Sequence, residues 1–256
     1  MPTLLSTKHN NKSTSISNPE NYSNSPQFEN NAESIAQNII QLRSVTKIYP
    51  NESIAFLNVN LEIQAGELLF ITGPSGSGKS TFLKLLYGDE FPTQGEVIVD
   101  GNDVASLRGD CLSRLRRRIG IVFQDYKLIH QRTVAENISF VLQAQGYTRK
   151  EIQRRLEPTL KLVGLLSKAN CFPTQLSGGE QQRVTIARAI VGTPPIILAD
   201  EPTGNLDPDN SWQVMQILKK LNSFGATVII TTHDEHLVRR SHNSVVQIKN
   251  GTIYRQ

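Results

Sequence analysis

The amino-acid sequence predicts an α/β fold in which a parallel-sheet core carries an antiparallel strand layer and a helical lobe. From Val134 to about Val191 the apolar residues recur with helical spacing. A glycine-rich loop at residues 73–80 separates the apolar run at residues 68–72 from the helical pattern that follows it. Such alternation of strands and helices is typical of layered α/β architecture. Short apolar runs, typical of strands buried in a parallel sheet, occupy residues 68–72, 119–123, 196–201 and 227–232.

The remaining elements are predicted from local patterns along the chain. An apolar helix is expected from Thr81 to Tyr87, directly after the glycine-rich loop. Asp100-Gly101 and Asn250-Gly251 are turn signals, and the second of them indicates a closing hairpin. Further strands are predicted at residues 39–42, 57–63, 95–99, 245–248 and 252–254.

The composition divides the chain into two regions. Residues 38–256 contain all of these elements and are expected to form one domain, with the helical lobe at about residues 130–190. Residues 1–37 are rich in Asn and Ser and poor in large apolar residues. Such a segment cannot bury enough surface to offset the loss of chain entropy, so a disordered polar tail is predicted. It is either a tolerated extension or a docking tail for a partner.

The glycine-rich loop has the spacing of a Walker A phosphate loop. Its glycines allow the backbone to curl so that successive N–H groups point at phosphate oxygens. In this pattern the Lys79 ammonium reaches the β- and γ-phosphates, and the Ser80 hydroxyl can ligate Mg²⁺. The loop follows a predicted strand and precedes a predicted helix, which is the required context. Its residues are Gly73, Pro74, Ser75, Gly76, Ser77, Gly78, Lys79 and Ser80.

A second anion site is predicted at Ser177-Gly178-Gly179. Ser177 lies at an expected helix start, where backbone N–H groups and the helix dipole favour a negatively charged ligand. One phosphate cradle binds a nucleotide. Two cradles in one chain therefore suggest a nucleotide that is held from both sides.

Further candidate residues stand at the ends of the predicted strands. Asp200 and Glu201 end an apolar strand, where Asp200 can hold Mg²⁺ and Glu201 can polarise an attacking water. Gln124 follows another strand, and His233 follows a third. Tyr49 lies upstream of the phosphate loop and either stacks on adenine or packs as an ordinary aromatic residue.

Taken together, these motifs resemble those of the ATP-binding cassette (ABC) ATPases over about residues 39–256. The resemblance implies that Gln124 is the Q-loop glutamine, Glu201 the catalytic glutamate and His233 the switch histidine. It places Asp207 in the D-loop and implies bound ATP and Mg²⁺, with Ser80, Gln124 and Asp200 around the metal. It also implies a head-to-tail homodimer in which each ATP lies between one Lys79 loop and the Ser177 segment of the second copy. The implied nucleotide contacts are Tyr49, residues 73–81, Ser177, Gly178, Gly179 and Asp207.

Within this family the chain is more similar to the FtsE branch, which acts in cell division. The resemblance rests on residues 123–128, residues 133–137 and Ser211-Trp212. Relatives in lipoprotein and macrolide export usually lack an acid in the place of Asp125. An FtsX-like integral membrane partner is therefore implied, bound at a groove near residues 125–143. ATPase subunits of exporters share the same catalytic parts, and export remains the alternative.

Composition narrows the function classes further. No apolar stretch approaches the roughly 20 residues that span a bilayer, and the N-terminus lacks the pattern of a signal peptide. The formal net charge of +4 is mild and permits contact with an anionic membrane face without demonstrating it. Peripheral association with the cytoplasmic face of the plasma membrane is expected. Cys111 and Cys171 fit no metal spacing and are expected to be reduced thiols.

The arginine cluster at residues 114–118 is the sharpest charge feature of the chain. Nucleic-acid binding is conceivable, but no aromatic residues interleave with the arginines, so a solvated helix face is favoured and no nucleic-acid partner is expected. A translation-type ABC protein would carry two cassettes. A chromosome-organising ATPase would place a long coiled coil between the two motifs, and residues 80–176 have no sustained heptads.

Overall fold

The computed structural model describes residues 38–255, and the predicted polar tail at residues 1–37 lies outside this range. The strands of the described part are β1 (Asn38–Ile48), β2 (Ile54–Gln64), β3 (Leu68–Thr72), β4 (Gln94–Val99), β5 (Asn102–Asp103), β6 (Ile119–Val122), β7 (Ile196–Asp200), β8 (Thr227–Thr231), β9 (Ser244–Lys249) and β10 (Thr252–Arg255). Its helices are α1 (Lys79–Leu86), α2 (Gly109–Arg117), α3 (Val134–Ala144), α4 (Arg149–Leu162), α5 (Gly178–Ile190), α6 (Pro208–Ser223) and α7 (Glu235–Ser241).

A six-stranded sheet in the order β10-β9-β3-β8-β7-β6 forms the centre of the fold. All neighbours pair in parallel except β10, which forms an antiparallel hairpin with β9. Because the strands are parallel, their carboxyl ends meet at one edge, where loops leave towards the helices. This edge brings together the residues that follow β3, β6, β7 and β8.

Both faces of this sheet are buried, which explains the uninterrupted apolar runs. Side chains alternate along each strand, so Phe70 and Ile230 pack in the cluster that contains the helices of residues 134–190, α6 and α7. Leu69 and Ile71 pack instead with Phe82 of α1 and with the second sheet. The sheet therefore separates two apolar clusters, as a parallel sheet in a three-layer arrangement does.

The second sheet is antiparallel, has the order β2-β1-β4-β5 and forms the predicted strand layer. β1 pairs with β2 and β4 through bulged registers. A Cβ at Gly95 would lie 2.3 Å from the Ser44 carbonyl oxygen, so only glycine allows β4 to approach β1 this closely. Leu57 N donates to Gly251 O, which links this layer to the closing hairpin.

The segment between β6 and β7 contains α3, α4 and α5, each begun by a capping box. The Thr133, Thr148 and Ser177 side chains each accept from the backbone N–H three residues later, where a glutamate returns the contact. At the other end of α5, a Cβ on Gly120 would lie 2.5 Å from the Ala189 carbonyl oxygen. Gly120 thus allows α5 to lie directly against the backbone of β6.

Several boundaries differ from the predicted ones. α1 begins at Lys79 rather than Thr81, because Gly78 adopts a left-handed conformation (φ 105°) and its carbonyl accepts from Phe82 N. Helices α6 and α7 were not predicted. Cys111 and Cys171 are both free, as expected. Within residues 38–255, no helix is long and apolar enough to cross a membrane.

Candidate functional site

The phosphate loop joins β3 to α1 and lines a cleft of about 380 Å³. Its glycines adopt backbone angles that other residues avoid: φ is 149° at Gly73, 75° at Gly76 and 105° at Gly78. The walls are formed by Tyr49, Ser53, Ile54, Ala55, Ser75, Gly76, Gly78, Lys79, Ser80, Thr81, Gln124 and Glu201. The structure therefore gathers Tyr49, Gln124 and Glu201 around the predicted phosphate loop, from three distant parts of the chain.

Lys79 is the buried cation of this cleft. Only 6% of its side chain is exposed, and its ammonium donates to the carbonyl oxygens of Gly73 (2.9 Å) and Pro74 (3.2 Å). It also lies 3.6 Å from Glu201 Oε1. A buried ammonium with carbonyl and carboxylate partners is a compact positive charge at the floor of the cleft.

Asp200 ends β7 beside the first turn of α1. Its Oδ1 accepts from the Ser80 hydroxyl at 3.3 Å and from the Thr231 hydroxyl at 2.6 Å. Asp200 and Thr231 are register partners in β7 and β8. Two of the three predicted Mg²⁺ ligands, Ser80 and Asp200, are thus brought into direct contact. Gln124, the third, lines the same cleft.

Glu201 follows Asp200 with a left-handed backbone (φ 43°), which turns the chain sharply at the end of β7. Its carboxylate lies between two nitrogen atoms, Lys79 Nζ at 3.6 Å from Oε1 and His233 Nδ1 at 3.1 Å from Oε2. The histidine side chain is 63% exposed, whereas that of Glu201 is 18% exposed. This arrangement holds a carboxylate at the cleft with a solvent-facing imidazole behind it.

Tyr49 stands at the rim of the cleft. Its hydroxyl forms a hydrogen bond of 3.0 Å with Thr81 Oγ1, and the Lys47 ammonium lies 4.8 Å from its ring centroid. Lys47 is itself held by Glu90 Oε2 at 2.7 Å. The ring is therefore tethered to α1 and remains part of the cleft wall.

The Ser177 segment is built differently. Ser177 Oγ accepts from Glu180 N, so the hydroxyl caps α5. Gly179 lies so close to Asn210 that a Cβ would come within 2.3 Å of Asn210 Oδ1. The Asp207 side chain caps α6 by accepting from Asn210 N, and this bond lowers the pKa of Asp207. Ser177, Gly178, Gly179 and Asp207 are not among the residues that line the Lys79 cleft of the same chain.

The arginine cluster is exposed, as predicted for a solvated helix face. Two of its members nevertheless make specific contacts that sequence reasoning missed. Arg116 donates to the carbonyl oxygens of Tyr87 and Gly88, which satisfies the end of α1, and Arg118 pairs with Asp100.

Comparison with known proteins decides the family. A family model described as ABC transporter matches residues 56–204 of the chain. This chain belongs to the ABC transporter family. The predicted ABC ATPase fold is confirmed, because solved ABC cassettes are similar to this chain in structure.

Two curated relatives and one solved structure illustrate the similarity. The cell division ATP-binding protein FtsE of Bacillus subtilis is 45% identical over 217 residues, which cover 85% of this chain and 95% of the relative. FtsE of Mycobacterium tuberculosis is 47% identical over 218 residues, with 85% and 95% covered. The ATP-binding cassette MJ0796, solved as a post-hydrolysis dimer bound to ADP and Pi, is 42% identical with a TM-score of 0.76, covering 85% of this chain and 97% of that one. The predicted similarity to the FtsE branch is confirmed.

This ABC ATPase contains a further residue at the site that the sequence did not single out. Arg188 on α5 donates to the carbonyl oxygens of Tyr126 (3.0 Å) and Lys127 (2.6 Å), just after Gln124. Tyr126 and Lys127 both have left-handed backbones, with φ of 47° and 50°. Burial lowers the pKa of the Arg188 guanidinium. One side chain thereby fixes the strained segment after Gln124 to the helix that begins at Ser177.

Proposed function

We propose that this chain is the ATP-binding and ATP-hydrolysing subunit of an FtsE/FtsX-like membrane complex that acts in cell division. The observation that carries the proposal is the cleft in which Lys79, Asp200 and Glu201 meet around a phosphate loop. The similarity to FtsE proteins over nearly their whole length supports the cell-division role.

The residues of the cleft fit ATP. The phosphate loop presents backbone N–H groups from residues with left-handed conformations, and such loops form anion-binding concavities. The Ser77 hydroxyl inside this loop is buried with no hydrogen-bond partner among residues 38–255. An unsatisfied buried hydroxyl is costly, and a phosphate oxygen is the acceptor that such a loop provides for. Tyr49 is positioned at the rim for contact with the base.

The donor set also fits Mg²⁺. Ser80 and Asp200 are hard oxygen donors in direct contact, and Gln124 lines the same cleft. Among residues 38–255 no cluster of three or more His, Cys, Asp or Glu side chains could form an all-protein metal cage. Mg²⁺ usually takes one or two carboxylates together with phosphate oxygens, so this set suffices. When bound, the metal would neutralise charge that develops on the phosphate oxygens.

The chain's own groups supply the rest of the reaction. Lys79 binds the phosphates electrostatically from a buried position. Glu201 orients the attacking water and accepts its proton, and the His233 imidazole holds the Glu201 carboxylate through a 3.1 Å contact. The left-handed turn at Glu201 directs this carboxylate away from the strand that carries Asp200. The adjacent acids thereby have different roles: Asp200 binds Mg²⁺, and Glu201 acts on the attacking water.

A second copy of the chain completes the site. Ser177, Gly178 and Gly179 lie outside the Lys79 cleft of their own chain, yet they form a helix start suited to phosphate. A two-fold dimer would place each Ser177 segment, together with Asp207, against the nucleotide held by the other copy. ATP then joins the two copies, and its hydrolysis releases them.

A surface groove offers the site for the membrane partner. It has a volume of about 420 Å³ and is lined by residues that include Phe123, Lys127, Ile129, Phe140 and Arg188. Phe140 is 40% exposed and gives the groove an apolar surface. Because Arg188 joins this groove to the segment after Gln124, a partner seated here would sense the state of the cleft. We therefore place the chain at the cytoplasmic face of the membrane, bound peripherally through this groove to an FtsX-like protein.

The test is charge reversal at Asp125, an exposed acid that does not line the groove itself but lies in the chain between two residues that do, Phe123 and Lys127. In Asp125→Lys we expect less copurified FtsX-like protein and a division or cell-wall defect, with the Kd for ATP unchanged. The control is Glu157→Lys, at an exposed acid of α4 that pairs only with Lys161 on the same helix. Normal division combined with accumulation of an unexported lipid or lipoprotein would contradict the proposal and favour the exporter alternative.

A further inference from the structure

One buried hydroxyl contacts both acids of the cleft and has no role in the mechanism described above. Thr231 ends β8 and is fully buried. Its hydroxyl lies 2.6 Å from Asp200 Oδ1 and 3.0 Å from Glu201 N. No other side chain described here contacts both the Asp200 carboxylate and the Glu201 backbone.

The direction of these hydrogen bonds follows from the chemistry of the groups. A hydroxyl has one hydrogen and two acceptor lone pairs, and an N–H can only donate. The hydroxyl therefore accepts from Glu201 N and donates to Asp200. The alternative acceptor, Ala199 O, is 3.4 Å away and neutral, whereas 2.6 Å is typical of a hydroxyl bound to a carboxylate.

We propose that Thr231 is a positioning residue that orients the Asp200 carboxylate for Mg²⁺ and fixes the turn at Glu201. The proposal rests on the proposed ATPase function. Removal of a group that hydrogen-bonds to a metal ligand and orients it commonly changes metal affinity by about 10- to 100-fold. The Glu201 N–H also donates to Thr231 O at 3.1 Å, so loss of the hydroxyl leaves that N–H satisfied. The larger effect is therefore expected at Asp200.

Three substitutions separate the hydroxyl from the shape of the side chain. Thr231→Val keeps the branched shape and removes the donor, and Thr231→Ser keeps the donor and removes a methyl group. A positioning role predicts that Val is impaired and Ser resembles wild type. A packing role predicts the reverse. Thr231→Ala serves if the Val protein does not fold, and it carries the same expectation as Val.

The matched control is Thr227→Val, in the same strand. Thr227 is also buried, but its hydroxyl accepts from Gly66 N at the opposite end of β8. It contacts none of the cleft residues. This variant reports the general cost of replacing a buried threonine in β8, and we expect it to leave Mg²⁺ dependence unchanged.

Two measurements are needed, one of them independent of turnover. Titration of Mg²⁺ in the ATPase assay should show a half-saturating concentration about 10-fold higher for Thr231→Val than for wild type. Calorimetric binding of a non-hydrolysable ATP analogue should match wild type in EDTA. In Mg²⁺ the Thr231→Val protein should lose about 10-fold of the metal-dependent gain in affinity.

The outcomes distinguish the inference from the function on which it rests. If wild type hydrolyses ATP and Thr231→Val or Thr231→Ala shows wild-type Mg²⁺ dependence in both measurements, the positioning role is wrong. The same conclusion follows if Thr231→Ser is impaired as strongly as Thr231→Val. If wild type itself binds no nucleotide, the proposed function fails instead.

Discussion

The Lys79 cleft and the Ser177 segment are the two proposed phosphate-binding regions, and they are assembled in different ways. In the cleft, side chains from α1, β7 and β8 bond to one another, and the Glu201 carboxylate lies between Lys79 and His233. In the Ser177 segment, polar groups are satisfied by the helix that they cap. The first region is assembled from distant segments of one chain. The second is held by its own helix and lies outside the Lys79 cleft of its own chain, which supports the proposal that it contributes to the nucleotide site of a second copy.

The largest expected effect is that of replacing Glu201, the proposed general base of the cleft. Glu201→Gln should lower kcat by about 10²- to 10⁴-fold, because the amide cannot accept the proton of the attacking water. ATP binding should persist, and the unhydrolysed nucleotide should trap the dimer. Size-exclusion chromatography with ATP measures this, and Lys79→Ala, which removes the buried cation, should bind no ATP and stay monomeric. A Glu201→Gln protein that hydrolyses ATP normally would contradict the assignment.

The second prediction tests whether the two regions meet between copies. Ser177→Arg and Lys79→Ala should each be inactive alone. In an equal mixture each heterodimer has one intact composite site, so part of the wild-type activity should return if a single site can fire. Steady-state ATPase assays on mixtures of fixed total concentration measure this. Full activity of Ser177→Arg alone would show that the two regions do not cooperate.

A smaller effect is expected for Arg188, whose side chain links the segment after Gln124 to α5. Arg188→Met removes both bonds to the Tyr126 and Lys127 carbonyls and should reduce partner-stimulated hydrolysis by about 10-fold, because the segment after Gln124 is then no longer fixed to α5. ATP binding should stay within about twofold of wild type, because the cleft residues are unchanged. Arg149→Met, at an exposed arginine of α4, is the control. Equal loss in both variants would remove the specific role of Arg188.

The smallest effect concerns the cap of α5 and its dependence on pH. Hydrogen bonding from the Ser177 backbone holds the pKa of Glu180 below its usual value. The ionised carboxylate therefore stabilises the native state above the ordinary glutamate pKa, and this contribution is lost as pH falls through the lowered pKa. Glu180→Gln should flatten the decline of Tm in mildly acidic solution. An unchanged pH profile of Tm would show that this cap contributes nothing measurable.

The sequence predicted those parts of the site that local motifs encode. The phosphate loop, the Ser177 helix start and the acids after β7 each depend on short-range backbone chemistry, so their spacing was sufficient. Helix α6 was missed although its signal is local: Asp207 caps it and Pro208 occupies its first turn. The start of α1 was misplaced because only the backbone angle of Gly78 reveals the cap.

Thr231 and Arg188 could not be found in this way. Thr231 reaches Asp200 only because β8 pairs with β7 in one register, and a shift by one residue would turn the hydroxyl to the other face. Arg188 lies 61 residues along the chain from the Lys127 carbonyl that it binds. Such contacts depend on tertiary packing, and a single sequence contains no spacing rule for them.

Helix α5 approaches β6 closely at Gly120, so a small rotation of the helix about this contact would move its far end by a larger distance. This contact lies at Ala189 near the carboxyl end of the helix, and Ser177 caps the amino end. With a rise of about 1.5 Å per residue, the arm between them is about 18 Å long. A rotation of about 10° about the Ala189 contact would therefore displace Ser177 by about 3 Å, roughly the length of a hydrogen bond. In the proposed dimer, a tilt of this size, begun at the groove, is enough to make or break contact with a phosphate held by the other copy.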